Sequence, residues 1–365
     1  MRAALIEESA KPFALVDDVR IEDPRAGEVL VRVSHCGICH SDLTFADTPG
    51  MPAPVILGHE AAGVVEKVGA GVASVAPGDK VMLTPLASCG RCYWCVRHQP
   101  TLCAEAQSFM TGLLPDGRTP LSRGGKPVFR GLGVGGFGER VIVRENGAVK
   151  VPADTPLDVA CVIGCAVQTG VGAVLNTAKV EEGATVLVTG LGGIGIAVVQ
   201  GARIANASRV IVSDPVAERR AAAERFGATH VLDPSRDDVV ARARELTGGI
   251  GVDYAFEAAG VAKLVEHCVA ATRNGGTTTM VGAPAGLDGV TIMPAALFLA
   301  QEKKLSGCLL GSCHSHRDVP RLLELWRRGA LDLDGMITSR RPLAEINAGF
   351  DDMRARRGIR TVLAL

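Results

Sequence analysis

The sequence predicts an α/β protein in two parts, a mostly-β domain and a doubly wound parallel sheet flanked by helices. Three observations predict it. From Ala3 to Glu145 the chain carries short β-like runs broken by Gly and Pro, with no long helical period. From Thr185 onward apolar runs alternate with helical ones, as in stacked strand–helix–strand units. The 365 residues also exceed the roughly 250–300 at which a single core stops growing.

Bulk composition narrows the function. With 39 basic against 39 acidic side chains there is no basic excess for nucleic acid or an anionic membrane surface. Gly 44 suits many tight strand–helix turns and close backbone approaches. The start, Met1 to Ser9, is not a signal peptide. No uninterrupted apolar segment is read as long enough to cross a bilayer. Cysteines number 11, and without a secretory signal they point to reduced, metal-bound or catalytic thiols. The expected location is cytoplasmic.

In the first half, β-like runs are Val29–Val33, Ala62–Val68, Lys80–Leu83 and Arg140–Val143. The first leads into Cys36-Gly37-Ile38-Cys39-His40-Ser41-Asp42, where two thiols, an imidazole, a hydroxyl and a carboxylate crowd a strand end. Such spacing suits a metal, but equally a redox pair or two buried thiols. His59-Glu60 follows Pro54–Gly58. Cys89, Cys92 and Cys95, with Cys103 close by, are more specific: four thiolates in one loop close a tetrahedral sphere, the signature of structural zinc. An iron–sulfur cluster uses similar spacing, but Ala104 stands where a proline would follow. Residues 112–138 read as a long loop, suited to walling a cleft or forming a subunit contact.

After Pro152 the period changes. Cys161 to Ala178 is helix-like and Thr185–Thr189 reads as a buried strand. It runs into Gly190-Leu191-Gly192-Gly193-Ile194-Gly195, a helical run, a second strand Arg209–Ser213, and Asp214. Strand, glycine turn, helix, strand and an acid about 20 residues on make a dinucleotide fingerprint. The glycines admit a pyrophosphate to the backbone N–H groups of the helix start. Asp214 would bind the adenosine ribose and repel a 2′-phosphate, favouring NAD. Four more strands follow, near Thr229–Leu232, Val252–Phe256, Thr277–Val281 and Lys304–Cys308, completing six. A helix near Val319–Gly329 and a strand, Arg360–Leu363, close the chain. Residues 1–166 with 310–365 are assigned to the first domain and 167–309 to the second.

Together these residues resemble the zinc-dependent alcohol dehydrogenases of the medium-chain dehydrogenase/reductase superfamily. The resemblance rests on Gly37–Asp42, Gly58-His59-Glu60, the four-cysteine lobe, Ile163-Gly164-Cys165, Gly190–Gly195 with Asp214, and Gly358–Val362, and so covers nearly the whole chain. It implies a GroES-like catalytic domain, a Rossmann domain, two zinc ions per subunit and NAD. Catalytic zinc would lie on Cys39, His59 and Cys165 with one position open, and structural zinc on Cys89, Cys92, Cys95 and Cys103. Asp42 would orient His59, and Glu60 would sit close behind the metal. Ser41 would accept the alcohol proton. His40, Thr169, Ile194, Arg219 and Arg360 would contact the cofactor. Cys36, Cys161, Cys268, Cys308 and Cys313 are read as unligated.

Two departures bear on the reaction. Liver-type members carry a histidine five residues after the zinc cysteine to pass the proton outward; here stands Thr44, so the relay ends on water or the step lacks a base. The stretch 112–117 looks like that of class III members, which oxidise S-hydroxymethylglutathione. Their basic glutathione-gripping residue is Gln107 here, and the acids before the zinc histidine are replaced by Thr48–Pro52. A neutral pocket suits an uncharged primary alcohol, aromatic or long-chain. Rival expectations are a glutathione- or mycothiol-dependent formaldehyde dehydrogenase, a zinc-stabilised nucleotide-binding protein without catalysis, and an enzyme that holds NAD too tightly to exchange. The resemblance also points to a homodimer.

Overall fold

The strand Glu28–Gly37 organises the first compact unit, because it hydrogen-bonds three others. It runs antiparallel to Glu60–Val68, to Arg140–Arg144 and to Arg360–Ala364. Its Val29, Val31 and Val33 alternate toward one buried face, as a period of two requires. The seven-stranded sheet continues through Lys80–Leu83 and Ala148–Lys150 on one side and Ile337–Pro342 on the other. The computed structural model describes residues 1–284 and 288–365.

This unit comprises Met1–Cys165, His314–Glu324 and Leu333–Leu365. The C-terminal return is locked in by aromatic packing. Phe350 stacks on Phe13 at 4.7 Å between ring centroids, and Phe137 meets both rings edge-on at 5.8 and 6.0 Å. Residues 112–138 correct the loop expectation. Leu121–Arg123 and Lys126–Arg130 form a hairpin, and they join Arg20–Ile21 and Val55–Ile56 in a four-stranded sheet. Its turn is Gly124-Gly125, at φ +56° and +77°, where both glycines supply the left-handed backbone of a two-residue hairpin. Arg130 staples the segment from inside. It is 3% exposed, and its guanidinium donates to the carbonyls of Gly133, Ile142 and Leu113. Burial without a carboxylate partner brings its pKa down to about 10.

The second unit comprises Ala166–Cys313 and Leu325–Asp332. Its six strands are all parallel, in the order His230–Leu232, Arg209–Ser213, Thr185–Thr189, Val252–Glu257, Thr272–Met280, Lys304–Gly307. In sequence numbering this is 3-2-1-4-5-6, the doubly wound order of a Rossmann domain. The fold class is that expected. The boundaries differ. Leu325–Asp332, expected in the first domain, joins the second through Gln200, which exchanges hydrogen bonds with the Asp332 backbone at 2.7 and 3.2 Å. Arg203 donates to the Ala330 carbonyl at 2.7 Å.

The helical run near Cys161 is longer and more apolar than the sequence suggested. Leu157–Ala178 is one helix of 22 residues, long and apolar enough to cross a bilayer, but 89% of its apolar window is buried inside the protein. It is a core helix, which corrects the expectation that no segment has that length. Further elements went unread, among them the helices His40–Asp47 and Ile346–Arg354 and the strand Ile337–Pro342.

The aromatic contact should hold the C-terminal return in place. Phe350→Ala is expected to cost about 3–5 kcal/mol, as for other buried Phe truncations. Equilibrium denaturation of the first unit's transition measures it; a loss under about 1 kcal/mol would mean the cluster is peripheral.

Candidate active site and nucleotide turn

The strand Glu28–Gly37 delivers Cys39 to the start of the helix His40–Asp47, where it occupies the N-cap position. Asp42, in that helix's first turn, is fully buried and serves three groups. Its Oδ2 accepts the Cys39 amide at 3.3 Å, and its Oδ1 accepts the Gly58 amide at 2.9 Å and faces His59 Nδ1 at 3.0 Å. The His59 ring is therefore fixed with Nε2 as its free nitrogen. Gly58 must be glycine. Its φ is +90°, and a Cβ there would lie 2.8 Å from the Phe137 amide nitrogen.

Glu60 opens the next strand, and Cys165 comes from the long helix. One donor atom each from Cys39, His59, Glu60 and Cys165 lie within 4.8 Å of one another. Gly37 makes room: a Cβ there would sit 2.4 Å from Glu60 Oε2. The electrostatics are strained. The hydrogen bond with Cys165 holds the Cys39 thiol well below its usual range, and pushes Cys165 well above it. Burial raises Glu60 to about 8 against the pull of Arg360. Neither Glu60 oxygen accepts a hydrogen bond. Two thiols, a carboxylate and an oriented imidazole, gathered in a buried place, are a donor set for an N- and S-preferring divalent cation. Such a cation would relieve their mutual repulsion, so the residues fit zinc.

Glu60, expected close behind the metal, has a carboxylate oxygen within 4.8 Å of donor atoms of Cys39, His59 and Cys165. Arg360, expected at the cofactor, is 5% exposed; its Nη1 donates to the Ile38 carbonyl at 2.7 Å and lies 3.2 Å from Glu60 Oε1. Ser41 Oγ is 3.8 Å from Cys39 Sγ, His40 is exposed, and Thr44 follows one turn beyond Ser41. Cys36 is fully buried and belongs to neither donor group.

The sulfurs of Cys89, Cys92, Cys95 and Cys103 also lie within 4.8 Å of one another. Short 3-10 turns at Cys95–Arg97 and Pro100–Leu102 bring them together. The N–H groups of Cys95 and Ala104 lower Cys92 to about 6, whereas burial raises Cys95 to about 12. Tyr93, Trp94, Val96 and Leu102 are exposed, so the lobe has little core of its own and depends on a cross-link. Four sulfurs without a fifth donor fit a closed zinc site.

In the second unit the strand Thr185–Thr189 turns at Gly190, φ +88°, into the helix Gly193–Ile204. Gly195 packs helix on strand: a Cβ there would stand 1.8 Å from the Gly190 carbonyl oxygen. A Cβ on Gly192 would meet nothing within 4 Å, so the helix start is open to a ligand that approaches the backbone. The turn fits a pyrophosphate. Asp214 is tied more closely to the turn than expected. Its Oδ2 accepts the Leu191 amide at 2.7 Å and its Oδ1 the Val216 amide at 2.8 Å, which leaves its remaining lone pairs for a ribose. Arg219 lies in the first turn of the helix Ala217–Phe226, Ile194 is partly buried, and Thr169 is buried. Glu257, which sequence reasoning passed over, is fully buried at the end of the strand Val252–Glu257. A lone charge closing the apolar run Tyr254-Ala255-Phe256 was its one sequence signal.

Comparison with known proteins agrees with this geometry. Residues 25–153 match the alcohol dehydrogenase GroES-like domain, and residues 193–328 match the zinc-binding dehydrogenase family. The S-(hydroxymethyl)glutathione dehydrogenase of Paracoccus denitrificans is 39% identical, with 99% of each chain covered. The NDMA-dependent alcohol dehydrogenase of Amycolatopsis methanolica is 37% identical, over 99% of this chain and 98% of that one. Benzyl alcohol dehydrogenase from Acinetobacter calcoaceticus superposes with a TM-score of 0.94 at 30% identity, covering 100% of this chain and 99% of its own. The chain belongs to the zinc-binding alcohol dehydrogenases of the medium-chain dehydrogenase/reductase superfamily.

Proposed function

We propose that the chain is an NAD-dependent alcohol dehydrogenase that interconverts uncharged primary alcohols, aromatic or long-chain, with their aldehydes. The buried gathering of Cys39, His59, Glu60 and Cys165 carries this reading. Cys39, His59 and Cys165 would hold the catalytic zinc, and Cys89, Cys92, Cys95 and Cys103 the structural one. When bound, zinc would supply a Lewis acid that makes an alcohol hydroxyl easier to deprotonate, and NAD would supply the hydride acceptor.

The remaining work falls to side chains. Asp42 keeps His59 Nε2 turned toward the thiols. Ser41 Oγ is the hydroxyl placed near the donor cluster to take the substrate proton. Thr44 cannot hold that proton near neutral pH, so it passes to water. Glu60 and Arg360 form a buried ion pair that adjusts the charge behind the site. The Gly190–Gly195 turn would seat the pyrophosphate and Asp214 the adenosine ribose, with His40, Thr169, Ile194, Arg219 and Arg360 as further cofactor contacts.

Substrate charge separates the two readings within the family. A thiol adduct of formaldehyde is the alternative favoured by the relative named for S-(hydroxymethyl)glutathione. Gln107, an exposed neutral residue where a glutathione-gripping base would stand, supports the uncharged alcohol instead. A homodimer is supported by the helix Ala295–Ala300, whose residues Ala-Ala-Leu-Phe-Leu-Ala include none that is buried. The neighbouring strand Lys304–Gly307 ends the sheet with one edge unpaired among the described residues. The 11 cysteines, with no disulfide among the described residues, suit a reducing compartment such as the cytoplasm.

Three experiments test this reading. Metal analysis should find two zinc ions per native chain; Cys39→Ala should lose one zinc and turnover, while Cys36→Ala keeps both. Loss of a zinc in Cys36→Ala would place a ligand wrongly. Benzyl alcohol with NAD should turn over without added thiol, whereas strict dependence on glutathione or mycothiol with formaldehyde would establish the alternative. Sedimentation should show a dimer that Leu299→Glu, at a side chain 78% exposed in the single chain, dissociates. A native monomer, or a variant that stays dimeric, contradicts that interface.

A further inference from the structure

At the carboxyl edge of the parallel sheet, three neighbouring strand ends touch backbone to backbone. A Cβ on Gly190 would lie 2.8 Å from the Ala259 amide nitrogen, one on Gly260 2.5 Å from the Ala283 carbonyl oxygen, and one on Gly282 2.2 Å from the Gly260 nitrogen. The loops after Thr189, Glu257 and Met280 therefore cannot shift independently, and the first of them is the glycine turn.

Glu257 holds two of them directly, the loop after its own strand and the loop after Met280. Its Oε1 accepts the amides of Ala259 and Val261, at 2.8 and 3.2 Å, which fixes the loop after its own strand. Its main-chain carbonyl accepts the amides of Val281 and Gly282, both at 2.9 Å, which fixes the loop after the next strand. The side chain is fully buried, and Oε2 has no partner. A Cβ at Gly282 would come within 2.9 Å of that oxygen, so the space is closed around it. Burying a carboxylate with no counter-ion is costly, and a plain helix cap would not require it. A serine or aspartate at Val261, the N-cap of the helix Ala262–Ala271, would serve that purpose from the surface.

We propose that Glu257 is a positioning residue of the dinucleotide site, its side chain and carbonyl together setting the two loops on which the glycine turn rests. The inference rests on reading Gly190–Gly195 as that site. What matters in it is reach: the carboxyl must span to two amides, those two and four residues farther along the chain. Aspartate keeps the charge and loses the reach, whereas glutamine keeps the reach and loses the charge.

The test is NADH binding to the zinc-loaded native chain and to Glu257→Asp and Glu257→Gln, followed by NADH fluorescence, with KM for NAD and kcat measured beside it. Glu257→Asp should bind NADH about tenfold more weakly, the size of one or two lost hydrogen bonds, with KM for NAD raised and kcat near native. Glu257→Gln should restore binding to within about twofold. Native affinity in Glu257→Asp overturns the proposal, as does a glutamine variant as weak as the aspartate one. A native chain that does not bind NADH overturns the dinucleotide reading instead, and this inference with it.

Discussion

Like charges confined out of water are the constraint on which the first unit depends. Cys39, Cys165 and Glu60 are all acids, drawn within 4.8 Å of one another and of His59. Transfer of an ionised group into a poorly solvated interior is unfavourable unless it is paired. The protein answers in part with Arg360 beside Glu60 and with Asp42, which fixes the imidazole but brings another carboxylate. The shifts in opposite directions at Cys39 and Cys165 show what is left over. A divalent cation would resolve it, and the surrounding backbone makes room for the donor side chains. Gly37 and Gly58 sit where any side chain would collide with Glu60 or Phe137.

The second unit solves a different problem, that of bringing backbone close to a ligand. Gly195 allows the helix to abut the Gly190 carbonyl, and Gly192 leaves the helix start clear. Asp214 anchors the turn through the Leu191 amide. Glycines that remove bulk and carboxylates that collect amides therefore work together at this sheet edge, Asp214 on one side and Glu257 on the other.

Much of this was legible in one dimension, for reasons that differ by element. The parallel sheet was readable because apolar runs such as Thr185–Thr189 are buried on both faces and stand out against charged helices. The cysteine lobe was readable from spacing alone. The helix His40–Asp47 was hidden because its residues are chosen for chemistry and show little amphipathic pattern. The hairpin within 112–138 was hidden because its strands are short and its turn is a Gly-Gly pair inside a generally loop-like composition. Arg360 was legible only through the resemblance, as a cofactor contact, and only the pairing of its strand with Glu28–Gly37 places it beside Glu60. Glu257 was invisible in kind: its importance lies in backbone amides, which every residue possesses.

One zinc would be enclosed by four sulfurs and the other held by two sulfurs and one imidazole beside a carboxylate. Anomalous diffraction at the zinc edge from crystals of the metal-loaded protein tests it most directly. Two peaks per chain are predicted, one among Cys89, Cys92, Cys95 and Cys103, the other between Cys39, His59 and Cys165. A single peak in the cysteine lobe, with Cys39 and Cys165 left as thiols, would contradict the account.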